Sequence, residues 1–169
     1  MTDTITILAN LALALSFIVG LIFGIAQVRT AAKDRRERLT IQTLKEFQSR
    51  EFAELMQFIL YNDMPTTQEG LRNLSTKDQV SLMQFAQEME SLGILVAEKL
   101  INIDLVDKTL GSFVTQSWDK YKPLFLEARE NNPDPFLGEY FQWLAEKLDE
   151  RMKLNPRKPF YNKRGQANG

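Results

Sequence analysis

Five carboxylates, Glu88, Glu90, Glu98, Asp104 and Asp107, concentrate acid along one stretch of the chain. Oxygen donors of this type hold Mg²⁺ and activate water when they converge on one point. The spacing opposes convergence. Glu88 and Glu90 are two positions apart and face different sides of a helix, while Asp104 and Asp107 read as the cap and first-turn acid of the next one. The chain has no cysteine and no histidine, which removes disulfides, thiol nucleophiles, Cys/His metal sites and every imidazole-based acid–base scheme. No catalytic motif is left. The expectation is a non-enzyme with no cofactor and no metal, and the alternative is a carboxylate- and Mg-dependent membrane-anchored enzyme.

The elements that would position any site begin with the N-terminus. Residues 5–28 are 24 consecutive positions without a charge. As a helix they extend about 36 Å, enough to cross a hydrocarbon layer of about 30 Å with some tilt. A cleaved signal would need a basic start and a shorter apolar run, whereas Asp3 is the only charged side chain ahead of this one. The stretch that follows holds Arg29, Lys33, Arg35, Arg36 and Arg38 against Asp34 and Glu37. Basic flanks stay cytoplasmic, so residues 1–4 are expected outside the membrane and residues 29–169 in the cytoplasm. Within the span Ala12, Ser16, Gly20 and Gly24 recur every four residues. That spacing forms a shallow strip on which a second copy of the helix can pack closely.

Beyond the span, charge segregates. Residues 29–38 carry net +3; residues 39–150 hold 10 basic and 19 acidic side chains, net −9; residues 151–169 carry Arg151, Lys153, Arg157, Lys158, Lys163 and Arg164 without an acid. The domain reading is therefore a basic juxtamembrane helical stem at 29–48, an acidic bundle at 49–150 and a loosely held basic tail at 151–169. Such a tail attracts anionic lipid, at about 1 kcal/mol per basic residue, or contacts the acidic body. The acidic body and the shortness of the tail argue against nucleic acid.

Helical periodicity dominates the body and strand signals are scarce. Leu39, Ile41, Leu44 and Phe47 form a partial apolar stripe, and Phe52, Leu55, Met56 and Ile59 form a second, with Ser49 placed to cap it after a bend near Gln48. The break at Asn62–Pro65 leads to a loop or short helix, and then Ser75 and Asp78 look like an N-terminal cap. The helix that follows is apolar almost all round near its end, which predicts a central, buried element. Asp104 is expected to cap the next helix, with Leu105, Val106, Leu110, Phe113, Val114 and Trp118 at helical spacing. Pro123 is expected to kink or restart it. After the break at 131–135, the last helix is expected to carry Leu137, Phe141, Leu144 and Leu148. The fold class is all-α: one N-terminal transmembrane helix followed by a small cytoplasmic helical bundle. Sustained heptads, the mark of a stalk subunit in a membrane complex, are absent.

The segment Ser117-Trp118-Asp119-Lys120-Tyr121-Lys122-Pro123-Leu124-Phe125-Leu126-Glu127-Ala128-Arg129, then Phe141-Gln142-Trp143-Leu144-Ala145, resembles the bacterial family called domain of unknown function 4760. The resemblance implies a bacterial single-pass membrane protein and carries no activity. Trp118, Tyr121 and Arg129 lie at separations that can share one helix face. Two readings stay open: an anion or partner site around the guanidinium, or an arginine capping its own helix beside an aromatic core. Together these features describe a membrane-tethered interaction protein, an adaptor, regulator or oligomerising effector. Its partners are the lipid bilayer, a second copy through the spanning helix, and an unidentified protein.

Overall fold

A computed structural model describes residues 2–131 and 134–159. All regular structure among them is helical: α1 (Thr2–Glu46), α2 (Arg50–Tyr61), α3 (Gln68–Arg72), α4 (Thr76–Ala97), α5 (Ile103–Asn131) and α6 (Glu139–Leu154). The chain forms two compact units, Met1–Leu39 and Thr40–Gly169.

In the first unit, α1 runs without proline from Thr2, so every interior amide finds its partner within the helix. Fourteen large apolar side chains between Ile5 and Val28 are exposed, Phe17 at 73% and Phe23 at 71%. This is the one helix among the described residues long and apolar enough to cross a membrane. Past the apolar run, Lys33 and Glu37 pair one turn apart at 3.8 Å.

The second unit opens with the C-terminal turns of α1. Leu44 of the expected stripe is buried, Ile41 is exposed, and Thr40 is completely buried instead. The Thr40 hydroxyl accepts the Asn102 N–H at 2.9 Å, tying α1 to the α4–α5 connection. After a turn over 47–49, Ser49 accepts the Phe52 N–H at 3.1 Å and starts α2. Ser75 does the same for α4, accepting from Asp78 N–H and donating its hydroxyl to the Asp78 carboxylate at 2.7 Å.

Phe85 sits at the centre of the core. Its ring lies 5.4 Å from Tyr121, 5.5 Å from Phe113, 6.1 Å from Phe141 and 6.4 Å from Phe52. Aromatic pairs at such separations add about 0.5–1.5 kcal/mol each beyond their buried area. The Tyr121 hydroxyl donates to the Leu82 carbonyl at 3.0 Å, and burial raises its pKa far above the usual phenol value. The most extensive helix–helix contact joins α4 to α6, followed by α5 to α6. Gly93 makes the first possible, since a Cβ there would stand 2.3 Å from the Tyr140 carbonyl oxygen.

Four expectations are corrected. Asn102, not Asp104, caps α5: its side-chain oxygen accepts the Asp104 N–H at 2.9 Å, and Asp104 falls in the first turn. Helix α5 runs through Pro123 without a restart. The missing donor would have served Asp119, and both residues are exposed, so water can take the freed carbonyl. Helix α4 buries one face rather than its whole circumference, leaving Val80, Met83 and Ile94 exposed. Finally, α6 begins after Gly138, so Leu137 precedes it, and it extends to Leu154, so Arg151 and Lys153 belong to the bundle and not to a loose tail.

Candidate functional site

The five carboxylates occupy separate surroundings. Glu90, in α4, accepts the N–H groups of Tyr140 at 3.2 Å and Phe141 at 2.8 Å, at the start of α6. Asp104 pairs with Arg151 of α6. Glu98 is exposed and closes α4 through its backbone N–H, which donates to Ile94. Glu88 lines a cleft with Glu46 and Glu51. There, the Gln84 amide donates to both Glu51 (3.3 Å) and Glu88 (3.1 Å). Desolvation by burial, with added repulsion from Glu51 and Glu46, raises the Glu88 pKa above its ordinary 4.5. Among the described residues, no three acids are grouped to hold a metal ion.

Asp107 differs in being buried. One carboxylate oxygen stands 3.5 Å from Arg157 Nε, and the other is enclosed without a hydrogen-bond partner among the described residues. Gly111 leaves room for the pair, because a Cβ there would approach that second oxygen to 2.7 Å. The basic segment thus contacts the body at Arg157, while Lys158 is exposed. Lys163 and Arg164 lie outside the described residues.

Trp118 and Tyr121 are core residues, packed on Phe125 and Phe141. Arg129 does not cap its own helix. Its Nε donates to the Leu137 carbonyl at 2.8 Å and its Nη1 to Gln142 Oε1 at 2.6 Å, which binds the end of α5 to the start of α6. In the first unit Ala12, Ser16, Gly20 and Gly24 are exposed, and a Cβ on either glycine would meet nothing within 4 Å.

Two features had no signal in the sequence. Lys120 Nζ donates to the carbonyls of Ile59 (2.9 Å), Leu60 (2.7 Å) and Asn62 (3.2 Å), closing the C-terminus of α2 from α5. A cavity of about 420 Å³ opens between α3, α4, α5 and the turn before α6, walled by Leu71, Leu82, Met83, Ala86, Leu124 and Phe125. Its walls come from four segments, so no single periodic pattern marks it.

A long exposed apolar helix followed by a packed helical bundle, with no grouped set of metal-binding side chains and one candidate membrane span among the described residues, defines a class of all-α proteins. Within that class, the chain belongs to the family described as Domain of unknown function (DUF4760), whose model matches residues 14–148 and so takes in most of the apolar run together with the bundle. Comparison with curated proteins and with solved structures gives no match.

Proposed function

We propose that this protein is a single-pass, membrane-tethered interaction protein, with residues 1–4 outside the bacterial inner membrane, residues 5–28 across it and the bundle in the cytoplasm. The observation that carries the reading is the exposure of every large apolar side chain of residues 5–28. Water disfavours a contiguous apolar surface of that extent, and a bilayer is the solvent that accepts it on all sides of a helix. The basic run from Arg29 to Arg38 supports the orientation.

The open strip of Ala12, Ser16, Gly20 and Gly24 supports self-association in the membrane, and the net acidic body supports a cytoplasmic protein partner. The chain's lack of cysteine makes the test direct. Thr4→Cys should react with a membrane-impermeant maleimide on intact cells, and Ser112→Cys should react only after permeabilisation. Extraction of the protein by alkaline carbonate, or the reverse labelling pattern, would overturn the assignment. Gly20→Leu with Gly24→Leu should lower the native mass of the membrane-extracted protein to a single 19.5 kDa chain.

A further inference from the structure

We propose that the cavity between α3, α4 and α5 binds the hydrocarbon chain of a free long-chain fatty acid, with the carboxylate held at the rim by Arg72. Its volume of about 420 Å³ falls in the range of small-molecule sites, about 300–1,000 Å³. Deep in its wall, the two polar side chains that meet the apolar lining, Tyr121 and Glu90, are already engaged. The Tyr121 hydroxyl is bound to Leu82 and both oxygens of Glu90 are bound to the first turn of α6. An occupant bringing its own amides, such as a peptide, would leave them unsatisfied against Leu71, Leu82, Met83 and Phe125, which is costly. A hydrocarbon chain brings none.

The rim supplies the opposite chemistry. Among the described residues, the Arg72 guanidinium makes no hydrogen bond or ion pair, and Gln87, exposed in the lining of the same cavity, has an uncommitted amide. The neighbouring acid Glu127 is occupied, accepting the Gln68 N–H at 3.1 Å and the Asn131 amide at 3.0 Å. A free cationic fork at the mouth of an apolar cavity is complementary to a carboxylate head on an apolar tail. This inference stands apart from the membrane-tether reading, because the cavity is formed wholly within the second unit.

The test uses the full chain in phosphatidylcholine vesicles and palmitic acid carrying a photoactivatable diazirine at mid-chain, with labelled residues located by peptide mass spectrometry. Label is expected on Leu71, Met83 or Phe125 as well as on residues 5–28. Excess palmitate should compete for the cavity label and its methyl ester should not. Arg72→Glu, at an exposed position, should lower the cavity label about tenfold or more, the scale of one lost charge-assisted contact. Ala86→Phe should remove the cavity label while that on residues 5–28 persists. Label confined to residues 5–28, equal competition by the ester, or an unchanged cavity label in Arg72→Glu would overturn the proposal. Equal cavity labelling by a diazirine phospholipid would overturn the choice of a free acid.

Discussion

The carboxylate of Glu90 is the N-terminal cap of α6, accepting the Phe141 N–H at 2.8 Å from a position 51 residues earlier in the chain. Helix α6 starts after Gly138, a left-handed residue (φ 70°) without a side chain to cap it. A carboxylate there satisfies first-turn amides and favours the positive end of the helix. The acid that sequence spacing offered as a metal-ligand candidate is thereby committed to holding two helices together.

Glu90→Ala should destabilise the bundle by about 1–2 kcal/mol, the range of a lost cap. Glu90→Gln keeps one acceptor and should cost less. Denaturant midpoints of the full chain in micelles check both. Equal losses for the two variants would mean that packing, and not acceptance from Tyr140 and Phe141, is what the side chain supplies.

Glu90 also shows where the sequence stops being informative. The elements were legible, because their signals are local: the hydroxyls of Ser49 and Ser75 sit three residues before the amides they cap, and the break at Asn62–Pro65 needs no partner. Asn102 and Asp104 were confused because either side chain can accept from a nearby amide and only backbone geometry decides. Pro123 does not restart α5, because the Asp119 carbonyl it strands belongs to an exposed residue that water can reach. Glu90, Lys120 and Arg129 act on backbone or side chains far away or past a turn, so their roles depend on tertiary packing that no spacing encodes. The cavity depends on four segments meeting, and it leaves no trace in any one of them.

Gly93→Ala should be more damaging than Glu90→Gln. The added methyl would stand 2.3 Å from the Tyr140 oxygen and 2.6 Å from its carbonyl carbon, both backbone atoms of α6. Only separation of α4 from α6 relieves that, and overpacking of this kind costs about 1–3 kcal/mol. Gly24→Ala, which meets nothing within 4 Å, should leave the unfolding midpoint of the bundle unchanged. A neutral Gly93→Ala would show that the two helices do not approach so closely.

The Glu46–Glu51–Glu88 cleft gives a pH dependence of definite sign. Burial, and then repulsion from Glu51 and Glu46, raises the Glu88 pKa in the folded state above its ordinary 4.5. The folded protein therefore binds that proton more tightly than the unfolded chain does. Its stabilising contribution is complete below about pH 4.5 and is lost as pH rises through the folded-state value. Glu88→Gln, which removes the charge, should be more stable than the parent at neutral pH, with the difference fading toward about pH 4. Urea midpoints at the two pH values measure it, and a constant difference would place the effect outside ionisation.

Asp107 and Arg157 should be energetically coupled, and unequally. Among the described residues, removing Arg157 leaves a buried carboxylate with one oxygen already unpartnered and no other ion-pair partner. The Arg157 side chain is 40% exposed, which pulls the loss toward the surface-pair limit of about 1 kcal/mol, while stranding a buried charge pushes it toward about 3 kcal/mol. Arg157→Ala is therefore expected to cost between those bounds. Asp107→Asn removes the charge that needs compensation and should cost less. Once Asp107 is neutral, Arg157→Ala should add almost nothing, so the double variant should match Asp107→Asn alone. The same single variant should free the segment after α6, and trypsin should cut after Arg157 several-fold faster than in the parent. Additive losses in the double-mutant cycle, with unchanged cleavage, would show that Arg157 merely lies beside Asp107 and does not hold the segment against α5.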